Sequence, residues 1–169
     1  MRRSASDHTS SGAPGAGLTE ADRRWMALAL REAIAAGRRG EVPVGAVVVC
    51  GDQAIARAGN ASIRTNDPAG HAEVRALRAA GRRARTYRLT EATLYATVEP
   101  CAMCMGAAIQ ARVVRLVFGC ADPKAGAAGS LYDLAADRRL NHRMRVTAGV
   151  DAEPSRDLLQ AFFRARRGR

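Results

Sequence analysis

Apolar residues recur at helical spacing near the start of the chain, where Met26, Ala29, Leu30, Ala33 and Ile34 share one side of a helix. Thr19, with Asp22 three residues later, resembles a capping box, so the pattern predicts a helix over 18–37 that Gly37 and Gly40 end. The period then shortens. "VPVGAVVV" (42–49) is a β-branched run, "GD" a turn and "QAIARAG" (53–59) a second strand, which predicts a hairpin over 42–59. A helix is expected over 71–81, ending at Gly81, then a strand at "ATLYATV" (92–98), a helix over 101–111 and a strand at "VVRLVFG" (113–119). After the Gly/Ala-rich loop "CADPKAGAAGS" come a weak strand near 145–147 and a last helix over 155–167, with Leu158, Leu159, Phe162 and Phe163 on its apolar side. Strands that alternate with helices predict a layered α/β domain with helices on both faces of the sheet. Residues 18–169 are expected to form that one domain, and no internal repeat interrupts it.

The first 17 residues, "MRRSASDHTSSGAPGAG", have no such pattern, and their Ser, Gly, Ala and Pro content reads as a disordered leader. Two arginines open it, but no apolar segment follows, so it is not a signal peptide. No apolar run approaches the ~18 residues of a membrane span. Four cysteines are too few to staple 169 residues, and a reduced, cytoplasmic chain is expected. The net charge of +11 calls for a polyanionic partner, most plausibly nucleic acid. Biased amino-acid usage is the competing account, since Lys124 is the only lysine; it explains arginine over lysine, but not basic over acidic. Arginine clusters without acids at Arg75–Arg88 and again at Arg164, Arg166, Arg167 and Arg169.

Cys101 and Cys104 follow Pro100 at the start of an expected helix, three apart and on one side of it. There the helix dipole and free N–H groups favour thiolates, the form that binds metal. A redox pair or a structural zinc site would also use a Cys-x-x-Cys, but a structural site usually needs a second such pair, and Cys50 and Cys120 stand alone. Of the three histidines, His8 lies in the leader and His142 in a late basic segment, which leaves His71 as the third ligand. Two thiolates and one imidazole fill three positions on zinc and leave one open, the stoichiometry of a catalytic site. Glu73, two residues from His71, is then placed as the general acid/base. Singly, a histidine at a helix start is more often a cap, and a lone Cys-x-x-Cys is often structural. Together, H-x-E and P-C-x-x-C about 30 residues on form the signature of the zinc-dependent nucleobase deaminases.

The segments "NDPAGHAEVRALR", "TLYATVEPCAMCMGAAIQARVVRLVFG", "DPKAGAAGSL", "LNHR" and "FFRARR" resemble the bacterial tRNA adenosine deaminases, the TadA family, from about Trp25 to Arg167. The resemblance implies a three-layer α/β/α cytidine-deaminase-like fold around a mostly five-stranded mixed sheet, and a homodimer with one zinc per subunit. It also implies hydrolytic conversion of adenosine to inosine at the wobble position of a tRNA anticodon stem-loop. His71, Cys101 and Cys104 match the zinc ligands and Glu73 the proton shuttle. Asn60 matches an asparagine that contacts the flipped nucleoside, while Asp122 and Phe163 match positions of the RNA-side loop and the terminal helix. Two departures stand out. Ala69–Gly70 replaces a common Thr-Ala, which is expected to loosen the start of the ligand helix slightly, and Ala125 replaces a common Thr, which removes a hydroxyl near the RNA. The alternatives are a deaminase of a free guanine- or cytosine-type base or nucleoside, and a nucleic-acid-binding protein with structural zinc. A small neutral substrate gives no reason for the charge, and a structural site has no use for Glu73.

Overall fold

The computed structural model describes residues 19–167, so the leader expected over 1–17 lies outside the described residues. Helix α1 (Glu20–Arg38) is capped as the sequence predicts: the Thr19 hydroxyl accepts from the Asp22 N–H at 3.1 Å, and the Asp22 carboxylate accepts from the Thr19 N–H at 3.3 Å. Strands β1 (Gly45–Cys50) and β2 (Gln53–Gly59) form the expected hairpin. A single-turn helix, α2 (Ser62–Thr65), follows and had no periodicity to announce it. Helix α3 (Ala72–Ala84) runs on through Gly81 and ends only at Arg85, which adopts the left-handed conformation (φ 54°). The order continues with β3 (Ala92–Val98), α4 (Ala102–Gln110), β4 (Arg115–Cys120), β5 (Arg145–Ala148) and α5 (Ala152–Arg167). Helix α5 starts earlier than the apolar pattern indicated, because Pro154 lies in its first turn, where a missing N–H costs nothing.

The five strands lie in the order β2-β1-β3-β4-β5, with β1 antiparallel to both neighbours and β3, β4 and β5 parallel. Side chains alternate across the sheet. Val48, Leu94, Ala96, Leu116 and Phe118 pack under α3 and α4, whereas Val47, Val49, Tyr95 and Val117 pack under α1. This is the mixed, five-stranded, three-layer α/β/α arrangement expected from the sequence. Helix α1 settles directly on the hairpin because Gly45 and Gly59, paired in register, have no side chains. A Cβ on Gly45 would lie 2.0 Å from the Ala29 carbonyl oxygen, and one on Gly59 2.6 Å from that of Glu32. The start of α1 is tied to the sheet by buried Asp22, which accepts two bonds from Arg115 (2.8 and 2.9 Å) and one from the Tyr95 hydroxyl (2.9 Å). Burial would push the Asp22 carboxyl up, but Arg115, Tyr95 and Thr19 together hold it down at about 2.

Parallel strands joined by helices force α4 to run antiparallel to β3 and β4. The C-terminal ends of β3 and β4 therefore meet the N-termini of α3 and α4, where open α/β sheets form their clefts.

Candidate active site

Cys101 is the N-cap of α4 and Cys104 lies in its first turn; His71 is the N-cap of α3. Neither cap makes a side-chain hydrogen bond to its own helix, so these side chains face the gap between the two helix starts. The His71 Nδ1 lies 3.6 Å from the Cys101 Sγ and 3.5 Å from the Cys104 Sγ, and the three atoms are mutually within 4.8 Å. A tetrahedral zinc with bonds of about 2.3 Å to sulfur and about 2.05 Å to nitrogen sets its N and S ligands roughly 3.6 Å apart. The donor set fits such an ion in both element and spacing. The three groups share protons among themselves. The Cys101 thiol is pushed down to about 3 by hydrogen bonds from Cys104 and then His71, while the same pairing pushes Cys104 up. His71 is pushed up by its bond to Cys101.

Glu73, in the first turn of α3, is buried (4% exposed), and its Oε2 is without a hydrogen-bond partner among the described residues. Burial pushes its carboxyl up from the usual range, so it can hold a proton. Asn60 lies beside it and caps the ligand helix: its Oδ1 accepts the Ala72 N–H at 2.8 Å. Because the partner is a backbone donor, the Asn60 oxygen is the atom engaged and its two amide N–H groups remain for another acceptor. Gly70 does not loosen the helix start. Its N–H donates to Asp67 and its carbonyl accepts from Ala61, and a Cβ there would lie 3.0 Å from the Ser62 backbone. The glycine thus allows a close pass of α2, a pairing the local sequence does not show.

These groups open into a cavity of about 910 Å³ lined by Asn60, His71, Glu73 and Cys101, by Asp122, Lys124 and Ala125 of the loop after β4, and by Phe163 of α5. Asp122 and Phe163 are thus on the cavity wall. The Asp122 Oδ1 accepts the N–H groups of Lys124 and Ala125 (3.0 and 3.2 Å), which folds the loop edge into a turn. Phe163 is 47% exposed and stacks edge-on against half-buried Phe162, with ring centroids 5.4 Å apart. Arg166 and Arg167 line the same cavity, but Arg164 bonds to Gln160 and stays outside it. Arg156, one of many arginines, also reaches the wall, and nothing in its sequence context singled it out.

The residue most clearly missed is Glu99, two before Cys101. Its buried carboxylate accepts from the N–H groups of Asp122 (3.1 Å), Ala128 (3.0 Å) and Ser130 (2.9 Å) and from the Ser130 hydroxyl. Gly126 passes so close that a Cβ would lie 2.4 Å from that carboxylate. One side chain therefore clamps the cavity loop onto the segment that carries Cys101 and Cys104. In Glu99→Gln an amide nitrogen must face these donors. We expect a loss of about 1–3 kcal/mol for each donor left unmatched, read as a lower melting temperature, with metal content retained. Unchanged melting would contradict the clamp.

The sequence matches the MafB19-like deaminase family over residues 20–167. It is 45% identical over 150 residues to the tRNA-specific adenosine deaminase of Haemophilus influenzae, covering 88% of this chain and 87% of that one. With the tRNA-specific adenosine deaminase of Bacillus subtilis it shares 43% identity over 143 residues, 85% of this chain and 89% of that one. Among solved structures it superposes with a TM-score of 0.78 on one from biochemical and structural studies of A-to-I editing by tRNA:A34 deaminases at the wobble position of transfer RNA. That alignment has 41% identity and covers 80% of this chain and 99% of that one.

Proposed function

The chain belongs to the tRNA-specific adenosine deaminases within the MafB19-like deaminase family, and from that premise we propose that it converts adenosine to inosine by hydrolysis at the wobble position of a tRNA anticodon. The observation that carries the reading is Glu73: a buried carboxyl, one oxygen of which has no partner among the described residues, beside a three-donor group that could hold a metal, at the base of a cavity with a cationic rim.

His71, Cys101 and Cys104 would hold one zinc, which when bound supplies Lewis-acid activation of water near neutral pH. Glu73 takes a proton from the attacking water as its oxygen bonds to C6 of the adenine. It then delivers a proton to the exocyclic nitrogen, the C6–N bond breaks, and ammonia leaves. A carboxyl pushed up by burial suits both halves of this shuttle, since it holds the proton between them. The free N–H pair of Asn60 donates to an acceptor on the base, and the engaged oxygen fixes the direction of that bond. Lys124, Arg156, Arg166 and Arg167 around the mouth take the flanking phosphates, and exposed Phe163 offers a face on which a neighbouring base stacks. The bases of an anticodon loop are already partly unstacked, which keeps extrusion inexpensive. A homodimer and a cytoplasmic location go with the same reading; no helix among the described residues is long and apolar enough to cross a membrane.

A free guanine- or cytosine-type base would need neither the cationic rim nor the exposed aromatic. The deciding experiment incubates the purified protein with unfractionated tRNA and, separately, with free adenosine, guanine and cytosine, and measures inosine and ammonia. Inosine from tRNA alone supports the proposal; ammonia from a free base alone overturns it. The rim makes a narrower prediction. Reversing Arg166 and Arg167 to Glu should raise KM for tRNA at least ~10-fold and lower the salt slope by nearly one unit per lost phosphate contact. Arg164→Glu, outside the cavity, should do little.

A further inference from the structure

The positive charge of the chain is not confined to the cavity rim. Helices α3 and α4 both begin at the metal-ligating group, so their C-termini, with the N-termini of β3, β4 and β5, gather at the opposite end of the domain. That end is about 20 Å away, by the helical rise over the 13 residues of α3. There the connecting segments are stitched together by hydrogen bonds from Leu89 N–H to the Ala111 carbonyl (2.6 Å), Val114 N–H to that of Ala92 (3.1 Å) and Arg145 N–H to that of Val114 (3.0 Å).

Two groups of exposed arginines meet on this end. Arg82, Arg83, Arg85 and Arg88 come from the close of α3 and the turn after it. Arg138, Arg143 and Arg145 surround a hollow of about 500 Å³ whose lining also includes Val114, Ala135 and Met144. None of the seven makes an ion pair among the described residues, and the nearby Asp137 is taken by Arg139 at 2.7 Å. Complementing the dipole of α3 accounts for Arg82, Arg83 and Arg85 at most. Arg88, Arg138, Arg143 and Arg145 lie beyond any helix end, and seven uncompensated guanidinium groups on one face repel one another. Within the first group stands Tyr87, 71% exposed; the Arg88 Nε donates to its hydroxyl at 3.0 Å, and the Arg88 guanidinium lies 5.4 Å from its ring centroid. An aromatic ring so braced among free arginines suits a nucleobase stack flanked by phosphates, and a single small anion would use only part of it.

We propose that this end of the domain is a second RNA-binding surface, which takes the phosphodiester backbone of the tRNA outside the anticodon arm. The proposal rests on the reading of the substrate as tRNA. It also gives a role to the charge that the cavity rim leaves unused.

The test compares full-length tRNA with an isolated anticodon stem-loop, using wild type, Arg83→Glu/Arg85→Glu/Arg88→Glu and Arg138→Glu/Arg143→Glu/Arg145→Glu, with sedimentation to read oligomeric state. We expect each triple variant to raise KM for full-length tRNA at least ~10-fold and to flatten its salt dependence by about two to three units. Deamination of the stem-loop should stay within about twofold of wild type, because the catalytic end is untouched. The same neutralisation with Gln should reproduce the effect in smaller measure. Equal losses on both substrates, no loss on either, or a change of oligomeric state would each overturn the proposal. A wild-type protein inactive on both RNAs would instead refute the functional reading itself.

Discussion

Glu73→Ala should lose turnover by at least ~100-fold while keeping its metal and its affinity for tRNA. General acid/base groups contribute about 10²–10⁴-fold, and among the described residues the other carboxylates that line the cavity, Glu99 and Asp122, are taken by loop N–H groups. His71 and Cys101 belong to the group that could hold a metal, and the Asp122 Oδ1 is occupied by its own loop. The fold should survive, because the Glu73 Oε2 has no partner among the described residues to strand and its methylene stem is small. Glu73→Gln keeps the shape without the proton and should fall nearly as far. Near-wild-type turnover in a metal-replete Glu73→Ala protein would remove Glu73 from the mechanism.

The second large effect concerns the metal. His71→Ala, Cys101→Ala and Cys104→Ala each delete one of three donors, and each should take zinc from one per chain to well below it, with activity lost in parallel. Cys50→Ser and Cys120→Ser should keep full zinc. Cys50 ends β1, far along the chain from the ligand helices, and burial pushes its thiol up, away from the thiolate form. Cys120 ends β4 on the cavity wall, and it too is pushed up by burial. Metal analysis that showed zinc loss in either serine variant would replace the catalytic site by a four-thiol structural one.

The parts of this site that were legible in the sequence are those whose chemistry is local. Cys101, Cys104, His71 and Glu73 each lie within one helical turn of a helix start, and their spacing is a pattern that few other chemistries use. The strands were legible for a similar reason: Val47 to Val49 and Leu94 to Ala96 alternate between two buried faces and leave little else for those segments to be. What escaped depends on contacts between distant residues. Glu99 reads as one acid before a proline, and its role exists only because residues 122–130 fold back over it. The short α2 depends on Glu41, whose buried carboxylate accepts the N–H groups of Ile63 and Arg64 at 3.1 and 2.7 Å, from more than twenty residues away. Gly81 was expected to end α3, but a single glycine costs only about 1 kcal/mol inside a helix, and the packing of Ala76, Leu77 and Ala80 on the sheet outweighs it. Asn60 entered through family resemblance alone, since an asparagine after a strand has many uses until its oxygen is seen to cap the ligand helix.

The most direct test of the account uses water labelled with ¹⁸O. The protein is incubated in it with tRNA, the RNA is digested to nucleosides, and the mass of the inosine is read together with its position in the anticodon. Hydrolysis at the metal site predicts wobble inosine with one ¹⁸O at C6 and one ammonia released for each inosine, both lost in Glu73→Ala. Unmodified wobble adenosine with a zinc-replete protein, or inosine formation that persists without Glu73, would contradict it.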